Sequence, residues 1–201
     1  MLNVAGRSLA MKLCLLVLGT VACGADMSGQ PLDASTAKLA EEARSLSLRW
    51  LADAEDAAES DEIRDAIADV EGLLSERALM APPKAYESTC DAGSKNTFIA
   101  AFVTGENNSD IYICDQSKKT GKVFLAQVLI HEALHLRGES DECAVTRLEL
   151  IVMTNAFRMP YRNAYVERCG LEELANELSD QVQAAHEAAE EEEEEVAGRG
   201  R

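Results

Sequence analysis

Basic residues are scarce in this chain. Nineteen lysines and arginines stand against 36 aspartates and glutamates, a formal net charge of −17 over 201 residues. A surface of that sign repels phosphate backbones, which argues against nucleic acid as a partner. It also repels anionic lipid, so charge does not hold the chain on a membrane. Long apolar runs are missing: the stretch from Leu13 to Val21 is too short to span a bilayer. No two cysteines stand in a close CxxC spacing, which argues against a cysteine-rich zinc site. No internal repeat is visible. Histidine is rare as well, with three in all, and two of them stand four residues apart.

The short apolar run does have a meaning at the N-terminus. Arg7 and Lys12 precede it, and the small residues Thr20-Val21-Ala22 follow, so residues 1–22 read as a removable export signal. Without Arg7 and Lys12 the remaining chain carries about −19 by the same formal count (−17 less two positive charges). Cys23 comes next, before Gly24. A cysteine there resembles the lipidated first residue of a bacterial lipoprotein, with Thr20 where leucine is usual; ordinary cleavage and free secretion is the alternative. Residues 23–34 are small and polar and read as a flexible tether. Cys90, Cys114, Cys143 and Cys169 remain, an even number that in an exported chain implies two disulfides. Three pairings are possible, and spacing does not choose among them.

The rest reads as one α+β, mostly helical domain over 35–186. Leu39, Ala43, Leu46 and Trp50 recur at helical spacing, and Ile63, Ile67, Val70 and Leu74 do so again after Ser60 as N-cap. These two segments predict an N-terminal helical hairpin. Ala81-Pro82-Pro83 ends the helical pattern. Two strand-like runs, 97–103 and 110–114, flank a turn-rich segment at 105–109 and predict a short β-hairpin. A helix then runs to Gly138. Another, from about Ser140, presents Ala144, Val145, Leu148, Ile151 and Val152, and packs on it. A last stripe of Leu171, Leu174, Leu178, Val182 and Ala185 leads into glutamates 190–195, so 187–201 reads as a disordered acidic tail.

The chemistry concentrates at His131-Glu132-Ala133-Leu134-His135. Residues i and i+4 of a helix share a face, so both imidazoles reach one zinc ion, and Glu132 lies beside the metal's open position as a general base. The third histidine, His186, sits among acidic residues and reads as a solvated side chain.

The segment from Val128 to Val145 resembles the active-site region of the zincin superfamily of metallopeptidases, over about a tenth of the chain. The resemblance implies that His131 and His135 bind zinc, that a third protein ligand follows, and that Glu132 activates the zinc-bound water for peptide-bond hydrolysis. Two third ligands stay open. Glu142 opens Glu-Cys-Ala-Val, which is similar to the ExxA element of gluzincins. Asp141 stands six residues after His135, a spacing similar to that of metzincins. The family also implies an edge strand beside the helix to hold an extended substrate, and 110–114 is the expected one. Tyr161 and Tyr165 are candidate donors to the developing oxyanion. The reading is therefore an exported zinc metalloendopeptidase acting on peptide or protein, in contact with membrane only through lipid at Cys23. The alternative is a non-enzymatic exported lipoprotein with a structural or vestigial metal site.

Overall fold

The computed structural model describes residues 29–58, 60–91, 99–104, 110–157 and 164–199. Cys23, the export signal, most of the tether and the turn expected at 105–109 lie outside them, as does Tyr161. The helices are α1 (Ala34–Asp56), α2 (Asp61–Glu76), α3 (Glu87–Cys90), α4 (Gly121–Leu136), α5 (Glu142–Phe157), α6 (Ala164–Arg168) and α7 (Glu172–Arg199). The strands are β1 (Ala78–Met80), β2 (Ala101–Phe102) and β3 (Asp110–Ile113). The fold is α+β and mostly helical, as expected, with α1 against α2 and α4 against α5.

Caps fix where the first two helices begin. The Asp33 carboxylate accepts from the N–H groups of Ser35 and Thr36, and the Ser60 hydroxyl accepts from that of Ile63. Each satisfies a donor that a helix start leaves without an intrahelical partner.

The core is built around α4. This helix is apolar on nearly every side, and Leu125, Ala126, Leu129, Ile130 and Ala133 are fully buried. A helix of that kind must be covered all round. Helix α1 covers one face through the small residues Ala40, Ala43 and Ser47, which let the two backbones approach closely. The Ser47 hydroxyl lies 2.9 Å from the Ala126 carbonyl, to which it can donate, so this close contact carries no stranded polar group. Helices α2 and α5 and strand β2 close the remaining sides.

The sheet has the order β1-β3-β2. Strands β2 and β3 pair antiparallel, with Phe102 opposite Tyr112, as the hairpin reading expected. Strand β1 was not expected. It pairs parallel with β3, setting Leu79 opposite Ile111, and so makes β3 the central strand. The edge-strand expectation is corrected accordingly: 110–114 is flanked on both sides, and β2 is the edge that lies against α4.

Two disulfides form, Cys90–Cys114 and Cys143–Cys169. They fit an oxidising, extracytoplasmic compartment. The first ties α3 to the end of β3. The second ties the first turn of α5 to the residue after α6. Helix α7, with Leu174, Ala175 and Leu178, and Leu171 just before it pack on Leu150 and Val166. Its backbone stays helical to Arg199, through most of the stretch read from sequence as a disordered tail. Among the described residues, no helix is long and apolar enough to cross a membrane.

Candidate metal centre

Three side chains meet where α4 and α5 converge. The Nε2 atoms of His131 and His135 lie 3.2 Å apart. The Glu142 carboxylate reaches both, at 3.4 Å from His131 Nε2 and 3.5 Å from His135 Nε2. These atoms form a group able to share one metal ion. Glu142 is the first residue of α5, half-exposed, and the turn after α4 aims it back at the histidines.

That turn depends on Gly138. Its φ of +105° is one that side-chain-bearing residues rarely adopt. The chain reverses there and brings the Glu139 carbonyl to within 2.7 Å of His135 Nδ1. A carbonyl only accepts, so Nδ1 carries the proton and Nε2 of the neutral ring is left with its lone pair. His131 is held similarly, with Nδ1 at 3.3 Å from a Glu149 carboxylate oxygen. The other Glu149 oxygen accepts from the Gln127 side-chain amide at 2.8 Å. Two ring nitrogens 3.2 Å apart, each with its other nitrogen occupied, cannot face each other lone pair to lone pair. At that separation the two nitrogens can share one proton or one cation.

Asp141 does not join the group. Its carboxylate accepts from the backbone N–H groups of Cys143, at 2.7 Å, and Ala144, at 3.4 Å, and so caps α5. Cys143, next to Glu142, is fixed by its bridge to Cys169. Tyr165 lines a cleft that His131 also lines. The side chain of His186 lies outside the described residues.

Glu132 is buried, 9% exposed, and lines the site without being one of the grouped ligands. Burial pushes its carboxyl up to about 7; the charge of His131 and the backbone N–H of Val103 pull it down, and Glu142 and Glu149 add to the rise. Burial depresses His131, but its hydrogen bond and attraction to Glu149, and the charges of Glu132 and Glu142, outweigh this and raise it. The Val103 contact follows from the strand alternation. The Ala100 carbonyl accepts from Cys114 N–H and so faces β3. The antiparallel alternation then turns the backbone groups of Ala101 and Val103 away from β3, toward α4.

Two clefts meet at the group. One, of about 510 Å³, runs past Thr104, Gly138, Glu139 and Ser140. The other, of about 540 Å³, runs along β2 past Phe102, Phe124, Val128 and Tyr165. His131, Glu132 and Glu142 line both.

Glu149 is the residue that sequence reasoning missed. It is 2% exposed, and it lies seven residues, or two turns, after Glu142 on the same face of α5. A lone carboxylate inside an otherwise apolar stripe was the available signal. Glu149→Gln keeps the shape but replaces one charged acceptor facing His131. Metal affinity should fall by about 10- to 100-fold, as for other partners that orient a ligating histidine. Titration of the chelated variant with zinc checks this, and an unchanged affinity would show that Glu149 only packs.

Comparison with protein-family models, with curated proteins and with solved structures finds no match to this chain.

Proposed function

We propose that this chain is an exported zinc-dependent metalloendopeptidase in which His131, His135 and Glu142 hold the metal and Glu132 is the general base. One observation carries the reading: two Nε2 atoms and a carboxylate converge at separations of 3.2, 3.4 and 3.5 Å, while both Nδ1 atoms face acceptors elsewhere. Tetrahedral zinc with bonds of ~2.0–2.1 Å sets its ligand atoms ~3.3 Å apart, so the donors fit with little adjustment. Two imidazoles and one carboxylate also form a borderline-soft set suited to zinc rather than to calcium or magnesium. Three protein ligands leave a position open, as catalytic sites do and structural sites do not.

Bound zinc would act as a Lewis acid, acidifying water and polarising the scissile carbonyl. The chain's own residues supply the rest. Glu132 takes a proton from the attacking water, whose oxygen bonds to the carbonyl carbon. As the C–N bond breaks, the same carboxyl returns that proton to the departing amine, leaving an acid and an amine. Its elevated proton affinity suits a group that must both accept and donate near neutrality. The Val103 N–H holds the carboxylate in place. The outer edge of β2, rather than β3, is the strand edge beside which an extended peptide would lie. Tyr165, on the cleft wall, is the described candidate for a second donor to the oxyanion. Lipid at Cys23 would hold the enzyme on a membrane.

Purified mature protein should contain about one zinc per chain, removable by a chelator and restored together with peptide hydrolysis. Protein that takes up no transition metal on titration would sink the proposal. Protein that binds zinc tightly yet cleaves nothing in a broad peptide mixture would establish the non-enzymatic alternative.

A further inference from the structure

Helix α4 sinks into the core from Leu125 onward, but its first turn stands clear of the fold. Gly121, Lys122, Val123 and Phe124 are all exposed. Among the described residues only Val123, Phe124 and Tyr165 are exposed large apolar side chains. Val123, 50% exposed, and Phe124, 40% exposed, are consecutive. Apolar groups held side by side in water mark a surface that something else covers.

The charge around this turn runs against that of the chain. No aspartate or glutamate occurs from 116 to 131, whereas Lys118, Lys119 and Lys122 do. Lys118 pairs with Asp33 and Asp115. Lys119 and Lys122 are exposed and form no ion pair among the described residues. Three lysines against two carboxylates leave this end weakly positive in a chain of net −17. Net charge argues against contact with anionic lipid, but charges are screened over ~8 Å at physiological ionic strength. Headgroups at this turn would therefore meet its lysines and not the carboxylates of the far side. Aliphatic and aromatic tips bordered by lysines suit a lipid interface, with the tips below the headgroups and the ammonium groups at the phosphates.

The turn also lies near the place where the chain enters the fold. Lys118 Nζ is 2.8 Å from Asp33, the N-cap of α1. Four residues earlier, Gly29 is so close to the sheet that an added Cβ would lie 2.7 Å from Met80 Cβ and 2.9 Å from Tyr112 Cε1. Tyr112 packs on Phe102, with ring centroids 5.3 Å apart, and Phe102 and Phe124 line one cleft. Cys23 precedes Asp33 by ten residues, which span at most ~35 Å when extended. A bilayer holding lipid at Cys23 would thus be within reach of this side of the molecule.

We propose that the first turn of α4 is a membrane-contact surface: Val123 and Phe124 enter the interface of a phospholipid bilayer, and Lys119 and Lys122 meet its phosphates. Contact would set the mouth of the cleft that Phe124 lines against the bilayer. The inference does not rest on the proposed hydrolysis.

The test uses the oxidised chain from Gly24 onward with one N-terminal myristoyl group, which alone binds vesicles only marginally, with an association constant of ~10⁴ M⁻¹. Partition is measured by sedimentation with vesicles of phosphatidylcholine, and of phosphatidylcholine with one-third phosphatidylglycerol. The anionic vesicles should bind the chain at least as well as the neutral ones, despite its net charge. Val123→Ser with Phe124→Ser should lower partition on both by about tenfold. Lys119→Glu with Lys122→Glu should lower it about tenfold or more on the anionic vesicles, while staying within about twofold on the neutral ones. Brominated lipid should quench the added indole of Val123→Trp, and not the buried Trp50. Weaker binding to anionic than to neutral vesicles, or partition that survives the serine pair, overturns the proposal. A dimer in solution that the serine pair abolishes, together with partition no better than that of the acyl chain alone, would assign the surface to a second copy instead.

Discussion

Glu132→Gln should leave zinc bound and lower peptide hydrolysis at least about a hundredfold, the low end of what a positioned acid–base group contributes. The amide has nearly the shape of the carboxyl. It can still accept the Val103 N–H through its oxygen, so the edge of β2 need not move. It cannot take a proton from water. The metal should stay, because Glu132 is not in the group formed by His131, His135 and Glu142. The substitution also removes a group whose ionisation in this site is opposed by burial, so the variant should fold at least as well as the parent at neutral pH. Zinc content and turnover must be measured on the same preparation. Full turnover with full zinc would place the base elsewhere.

The second large effect separates two neighbours. Glu142→Ala should weaken zinc by more than the ~10- to 100-fold typical of an outer contact, whereas Asp141→Ala should lower stability by ~1 kcal/mol and barely touch the metal. The Glu142 carboxylate lies within 3.5 Å of both Nε2 atoms. The Asp141 carboxylate is engaged by two backbone N–H groups at the start of α5. Paired zinc titrations and thermal melts distinguish the two roles. Metal loss on Asp141→Ala alone would reverse the assignment.

What the sequence revealed depended on periodicity. The histidine pair was legible because four residues make one helical turn, and Ser60 and Gly138 were legible because caps and left-handed turns demand particular residue types. Strand β1 was not legible: three residues between the end of α2 and Pro82 carry no period. Without it the position of β3 could not be known, since a hairpin by itself does not say which of its strands gains a third partner. Glu149 was hidden for a different reason. A carboxylate on an apolar stripe looks like an error in the stripe until its partners, His131 and Gln127, are brought from α4. The choice between Glu142 and Asp141 turned on one residue of helix start, which periodicity does not resolve.

Cys143 and Glu142 are consecutive residues in one turn, so the bridge to Cys169 and any ion held by Glu142 restrain the same short piece of backbone. Two equilibria that share a restraint are linked, and the linkage is reciprocal. By whatever factor the bridge raises affinity for the ion, the ion makes the bridge harder to reduce. Oxidation and metal loading then reinforce each other. A chain that is reduced on the inner side of a membrane and oxidised outside it would hold its ion weakly in the first compartment and firmly in the second, with no further component needed to tell them apart.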